Sequence, residues 1–334
     1  MTKIKIAIIG CGIITEEAHL PALLRLSERI EIKAVCNRTK PKAVNIAEKL
    51  SLPEEAVWTD WKKMIGRVVG LDAVLIALPI TMNHPVSRAC CKAGLSVLCE
   101  KPAGMNNEEA EETSRFSAEY GVTYMTGENF HFEPRFRKAA ELVKEGIIGK
   151  LHSTSWNLLS FMDKNNKYNK TQWRADNKYP GGYVLDGGVH FVHALQMIAG
   201  PVDSVFSHTA SIDKDLGTMD SALSLMKHCN GVISSLNLGW RAVNDDSNLK
   251  LYGDKGTLII KDDLILEMTP GGKINKHSFE RENSFYLQWS AFLDSLEEGR
   301  PPALPHQMPV NDVKIIMAII ESGQTGKKIS LCNE

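Results

Sequence analysis

Apolar residues along the first part of the chain come in short runs. Ile4 to Ile9, Ile30 to Cys36, Leu71 to Leu78, Ser96 to Cys99 and Val122 to Met125 are rich in β-branched or apolar residues, and segments of helical character separate them. A strand that is apolar on both faces must be covered on both faces, so these runs predict a parallel sheet wrapped by helices. The first intervening helix carries His19-Leu20-Pro21-Ala22-Leu23-Leu24. The second begins near Thr39 with Pro41 in its first turn, where a missing amide proton costs nothing. Strand and helix alternate throughout, which makes residues 1–127 a doubly wound α/β domain.

The texture then changes. A helix from Glu133 to Lys144 ends at Gly146, and longer half-alternating runs follow: Leu151 to Phe161, Val202 to Ile212, Ser221 to Cys229, Val232 to Trp240 and Asn248 to Lys261. Gly253-Asp254-Lys255-Gly256 and Pro270-Gly271-Gly272 are hairpin-length turns, so residues 128–334 are expected to form an α+β domain with an open, largely antiparallel sheet. One helix, Asp186 to Ile198, precedes most of that sheet. Another starts with Ser284 as its cap, places Phe285, Trp289, Phe292, Leu293 and Leu296 on one core-facing stripe, and stops at Gly299. Residues 162–181 are polar and unpatterned, a long loop bordering a site. The apolar positions on the sheet's outer face suggest a second copy of the chain, giving a homodimer or homotetramer.

Composition narrows the function. A chain of 334 residues exceeds what one core usually organises. Its 39 Lys and Arg balance 40 Asp and Glu without a block of like charge, so neither nucleic acid nor a membrane surface is an expected partner. The apolar run after Met1 is too short for a signal core or a span, which points to a cytoplasmic protein acting on small molecules. The cysteines, at 11, 36, 90, 91, 99, 229 and 332, form no CxxC pair or zinc spacing and read as core thiols.

Four segments carry chemistry. Gly10-Cys11-Gly12-Ile13-Ile14-Thr15 joins the first strand to the first helix, where two glycines let the backbone approach a pyrophosphate and the helix start offers unpaired amides. Thr15 replaces the usual third glycine or alanine, and is small enough to keep helix and strand close. The second strand ends at Asn37-Arg38 without the carboxylate that an NAD site uses for the ribose hydroxyls. A guanidinium there suits a 2′-phosphate, so NADP is favoured, with NAD left possible. Glu100-Lys101-Pro102 ends another strand and sends Lys101 toward the ligand crevice. An exposed lysine is ordinarily solvated, so spacing alone does not settle its role, nor whether the Lys101–Pro102 bond is cis. Finally, Asp186, His190 and His193 fall four and three apart, on one face if helical. Such a face serves a histidine base oriented by a carboxylate, a metal site or a hydrogen-bonded buried histidine.

Together these motifs resemble the Gfo/Idh/MocA oxidoreductases, named for glucose-fructose oxidoreductase and inositol dehydrogenase. The resemblance rests on the glycine loop with His19-Leu20-Pro21-Ala22-Leu23 behind it, on Glu100-Lys101-Pro102, on Gly146-Ile147-Ile148-Gly149-Lys150, and on Trp173-Arg174 followed by Gly181-Gly182, Asp186 and Gly188-Val189-His190. It implies a Rossmann domain followed by a sheet domain that mediates oligomerisation, with Lys101, Asp186 and His190 as the catalytic trio and no metal. His190 would take the hydroxyl proton of a sugar, cyclic polyol or related small molecule, and Lys101 would stabilise the alkoxide. Cofactor contacts are implied for Gly10, Gly12, Ile13, Ile14, Asn37, Arg38, Leu78, Pro79, His84, Glu100, Lys101, Asn129, Trp173 and Arg174. Two positions depart from the pattern: His131 stands where many relatives carry arginine, and His193 where aspartate is common. A sensing regulator of the same fold, binding dinucleotide and sugar without turnover, is the rival reading; a metal-dependent hydrolase built on Asp186, His190 and His193 is a third.

Overall fold

Six short strands form the first sheet: β1 (Ile4–Ile9), β2 (Ile30–Cys36), β3 (Val57–Trp58), β4 (Ala73–Ile76), β5 (Ser96–Glu100) and β6 (Tyr124–Gly127). In this computed structural model, which describes residues 2–331 apart from 164, 172, 175–177, 214–215 and 217–218 and leaves the side chains of 244–246 undescribed, every pair in that sheet is parallel. The order is β3-β2-β1-β4-β5-β6. Helices α1 (Leu20–Arg25), α2 (Lys40–Lys49), α3 (Trp61–Arg67), α4 (Ile80–Lys92) and α5 (Asn107–Tyr120) connect the strands. The chain crosses to one side of β1 and then to the other, which opens a crevice at the carboxyl ends of β1 and β4.

The short apolar runs behave as parallel-sheet strands should. Ala7, Ile9, Val74, Ile76, Val97 and Cys99 share one core at no more than 1% exposure. Cys11, Cys36, Cys90, Cys91 and Cys99 are buried, and burial pushes each thiol up to about 12. Cys229 is exposed, and Cys332 lies outside the described residues. Two runs shift at their ends. Leu71 to Leu78 yields only Ala73–Ile76, because the Leu78 amide turns to the Asn83 side chain and Pro79 opens α4. β6 begins at Tyr124, two residues beyond the expected start, after Gly121 closes α5 at φ +65°.

The second unit holds a nine-stranded sheet with β7 (Leu151–Phe161), β8 (Val202–Ala210), β9 (Ser221–His228), β10 (Ile233–Gly239), β11 (Arg241–Gly253), β12 (Thr257–Lys261), β13 (Leu264–Met268), β14 (Ile274–His277) and β15 (Ile329–Ser330). Their order is β14-β13-β12-β11-β7-β10-β9-β8-β15. The pairing is antiparallel except between β7 and β10. Asn248 to Lys261, a single run in the sequence, is split by the expected turn, where the Gly253 amide donates to the Gly256 carbonyl at 2.9 Å. α6 (Pro134–Lys144), α7 (Gly182–Asp186) and α8 (Gly188–Ala199) belong to this unit. Phe136, Trp156 and Phe191 pack edge to face beneath them.

Two expectations need correction. The helix read from Asp186 to Ile198 is two helices that meet at Gly187, where a side chain would come within 2.8 Å of the Trp240 ring. The cap of α9 (Ser284–Glu298) is Asn283, whose side chain accepts from the Tyr286 amide; Ser284 lies inside the helix and is buried. The division of the chain also differs from contiguous halves. Met1–Asn129 groups with Asn283–Val310, and Phe130–Glu282 with Asn311–Glu334, so a boundary falls inside α10 (Gln307–Thr325). The physical reason is the stripe on α9: fully buried Trp289 bonds to His19 of the first unit, and Arg29 pairs with Asp294 and Glu297. No helix among the described residues is long and apolar enough to cross a membrane.

Candidate active site

The first unit gathers its candidate residues at strand ends. Gly10 follows β1 at φ +103°, and a Cβ on it would lie 2.1 Å from the Ala77 carbonyl oxygen, so only glycine fits between β1 and the end of β4. Gly12 has nothing within 4 Å of an added Cβ, which leaves its backbone open to close approach. The Glu16 amide donates to the Gly12 carbonyl, so the amides of Ile13, Ile14 and Thr15 precede the first bond of the helical ladder. Thr15 is fully buried, and its hydroxyl donates to the Gly10 carbonyl at 2.7 Å, tying helix to loop where the third glycine usually stands. An open glycine, unladdered amides and a dipole end are the features a pyrophosphate needs.

Asn37, after β2, is committed to the loop: it accepts from the Cys11 amide at 3.1 Å and donates to the Thr39 carbonyl at 3.0 Å. It shapes the glycine loop from behind. Arg38 beside it is exposed. Leu78 and Pro79 follow β4, and Asn83, which sequence reasoning passed over, accepts from the Leu78 amide and donates to the Glu100 carbonyl at 3.2 Å each. That one buried carboxamide joins the ends of β4 and β5. His84, the next residue, lies 3.0 Å from the Glu112 carboxylate and packs on Phe116 of α5. Asn129 donates to the Ser284 hydroxyl at 3.1 Å.

Glu100 is a buried carboxylate and needs a partner. It has His19, fully buried, whose Nε2 lies 2.9 Å from Oε1. The Trp289 indole can only donate, and it meets His19 Nδ1 at 3.0 Å, so Nε2 carries the proton and donates to Glu100. One π-helical turn, Thr15–His19, precedes α1 and carries this imidazole. Lys101 follows through a cis Lys101–Pro102 bond and is half-buried.

In the second unit Arg174 and Asp186 form one pair. Arg174 Nε donates to Asp186 Oδ2 at 2.7 Å and lies over the Trp173 ring, 4.1 Å from its centre. Tyr179 packs on Trp173, and burial together with the Asp186 charge pushes its phenol well up. The Tyr183 hydroxyl is buried with no hydrogen-bond partner among the described residues. His190, half-buried on α8, is stacked on Phe130 with ring centres 4.6 Å apart. His193 is the hydrogen-bonded buried histidine: Nδ1 lies 2.7 Å from Asp312 Oδ2 and Nε2 lies 3.1 Å from His131 Nδ1. Both its nitrogens therefore face protein partners. Asp312 was invisible as a functional residue in the sequence; the available signal was a lone carboxylate within the apolar stretch of α10.

Comparison with known proteins identifies the family. The model described as the oxidoreductase family with an NAD-binding Rossmann fold matches residues 4–128, and the GFO/IDH/MocA C-terminal domain matches residues 136–259. The crystal structure of an oxidoreductase from Thermotoga maritima superposes with a TM-score of 0.92 at 31% identity, over 98% of each chain. D-xylose 1-dehydrogenase (NADP(+)) 2 from Haloferax volcanii is 25% identical over 97% of this chain and 98% of its own. Myo-inositol 2-dehydrogenase from Thermotoga maritima is 24% identical over 90% of each. With both halves matched in order, the chain belongs to the GFO/IDH/MocA family and is an NAD(P)-dependent oxidoreductase of the class acting on CH–OH groups.

Proposed function

We propose that the protein is an NADP-preferring dehydrogenase or reductase that interconverts a hydroxyl and a carbonyl of a sugar or cyclic polyol. The observation that carries the reading is the Asp186–Arg174 ion pair one helical turn from half-buried His190. A carboxylate held by a guanidinium keeps its charge and its direction, and so can position a substrate hydroxyl beside the imidazole. His190 takes the hydroxyl proton in oxidation and returns it in reduction. Lys101 stabilises negative charge on the same oxygen. Asp186 orients the substrate.

The nicotinamide dinucleotide supplies the hydride acceptor or donor when bound. Gly10, Gly12, Ile13 and Ile14 would hold its pyrophosphate, and Arg38 would meet the 2′-phosphate. The xylose dehydrogenase relative carries NADP in its name, in keeping with that choice. Leu223, Leu225 and Ile233 on the second sheet are each more than half exposed, and Phe206 stands directly across from Leu225. The opposite face of β9 carries Ser224 and His228, both fully buried. Burying serines while exposing leucines is costly in an isolated sheet, and a second copy of the chain docked on the leucine face removes the cost.

Calorimetric titration of cofactor-stripped protein with NADPH and NADH, followed by a turnover screen of pyranoses, polyols and their keto forms, tests the reading. Tighter NADPH binding with turnover supports it. Dinucleotide binding without turnover across the screen would favour a sensing regulator, and no binding would overturn the cofactor assignment. Lys101→Ala should lower kcat by about a hundredfold or more with cofactor affinity within about threefold.

A further inference from the structure

The proposed cofactor site leaves one buried histidine without a task. His19 is fully buried, and its nitrogens join two distant segments: Nδ1 accepts from the Trp289 indole at 3.0 Å and Nε2 donates to Glu100 Oε1 at 2.9 Å. Phe285 and Trp289 of α9 stand edge-on to the ring, with centres 5.1 and 6.0 Å away, so its plane is fixed as well as its tautomer. The same residue closes the π-helical turn that starts at Thr15, whose carbonyl accepts from the Leu20 amide and whose hydroxyl donates to the Gly10 carbonyl. Glycine loop and imidazole are therefore one short stretch of backbone, and the bond to Glu100 fastens it to the end of β5.

Glu100 has a closed end and an open one. Oε1 lies against a histidine of 0% exposure. Oε2 has no hydrogen-bond partner among the described residues, yet it is not sealed from solvent, and the residue as a whole keeps 7% exposure. β1, β4 and β5 run parallel, so Glu100 ends its strand at the same edge of the sheet as the glycine loop. A carboxylate oxygen only accepts, so what this one offers a ligand is a place for a donor.

Resting on the proposed dinucleotide site, we infer that His19, fixed by Trp289, is a positioning residue for the nicotinamide-riboside half of the cofactor. It acts through Glu100, whose open oxygen accepts from a hydroxyl or amide of that half. It also keeps this acceptor in register with the amides that would hold the pyrophosphate. The tautomer makes the arrangement directional. A ring protonated at Nδ1 would turn a lone pair toward Oε1 and leave the carboxylate without its donor; the indole, which can only donate, excludes that form.

The test compares two ligands by calorimetry on the full chain: NADPH, and adenosine 2′,5′-bisphosphate, which lacks the second ribose and the nicotinamide. NADH and ADP replace them if NADH binds more tightly. His19→Leu should weaken NADPH by about tenfold while the bisphosphate stays within about twofold, as loss of one bond to a charged group implies. His19→Gln, which can still accept from the indole and donate to Glu100, should restore NADPH affinity to within about threefold of wild type. Glu100→Gln turns the open acceptor into a donor and should weaken NADPH as His19→Leu does; the double variant should then lose little more, because both changes break one link. Trp289→Phe should act in the same direction by a smaller factor, and it decides the matter if His19→Leu fails to fold. Melting temperature establishes that each variant is folded, and 2′-phospho-ADP-ribose, which keeps the second ribose, tells a ribose hydroxyl from the carboxamide as the donor. Folded variants that bind NADPH as wild type does, that weaken both ligands equally, or whose effects add in full with Glu100→Gln overturn the inference alone. A wild-type protein that binds no dinucleotide overturns it together with the proposed function.

Discussion

The two units build their halves of the chemistry from different materials. In the first, strands covered on both faces leave only their carboxyl ends for function, so the candidate site is made of backbone: a glycine loop, unladdered amides, and carboxamides that brace them. In the second, the candidate groups are side chains on the short helical run from Gly182 to Ala199, each with its own partner: Arg174 for Asp186, Phe130 for His190, Asp312 for His193. A backbone site fails when the chain path changes. A side-chain site fails group by group.

The largest expected effect tests the backbone half. Gly10→Ala forces a Cβ onto the Ala77 carbonyl at positive φ and should cost about 3 kcal/mol or more in urea unfolding. Gly12→Ala, in open space, should leave stability within about 0.5 kcal/mol while abolishing tight dinucleotide binding by calorimetry. Equal losses of stability in both would erase the distinction. For the side-chain half, His190→Asn should lower kcat by about a hundredfold with NADPH binding retained, and should flatten the corresponding limb of the pH–rate profile. Unchanged rates across pH would remove His190 as the base.

Smaller effects sharpen the contrast. Arg38→Ala should weaken NADPH by about tenfold more than NADH, as loss of charge-assisted bonds to one phosphate implies. Trp289→Phe leaves His19 Nδ1 buried without its donor and should cost about 1–3 kcal/mol, read as a lower melting temperature. The smallest is a pH effect. Burial holds His228 of the second unit and His306 of the first below the usual histidine value. As pH falls below that value the unfolded chain takes up protons before the folded one, so stability should fall with pH until the folded histidines also protonate. His228→Gln should shallow that slope, and a slope left unchanged in the variant would show that His228 does not contribute.

Legibility followed the same division. β1, β2 and β7 appear with the bounds their runs predict: the first two are apolar-rich strands of the parallel sheet, and β7 is a half-alternating strand of the second sheet. Gly10, Gly12 and Lys101 stood out because glycine spacing and a charged end to an apolar run are local signals. Asn83 and His19 act across 17 and 81 residues through hydrogen bonds that no local period encodes. The break at Gly187 was unreadable for a similar reason, since the ring that enforces glycine there belongs to Trp240. Trp289 was read only as core; in its stripe Trp289, Phe292 and Leu293 are buried and Phe285 and Leu296 half-buried, and the Trp289 N–H also sets the tautomer of a histidine paired with Glu100.

By itself the sequence determined the alternation of strands and helices, the glycine loop and the antiparallel character of the second sheet, all of which depend on neighbours within a few positions. Only the tertiary structure decided that Asn283–Val310 returns to the first unit, that Asp186 is held by Arg174, and that His131, His193 and Asp312 form one chain. Those outcomes depend on which polar groups are buried side by side. Burial is set by the packing of segments far apart in the chain, and a buried donor or acceptor then takes whatever partner that packing brings within reach.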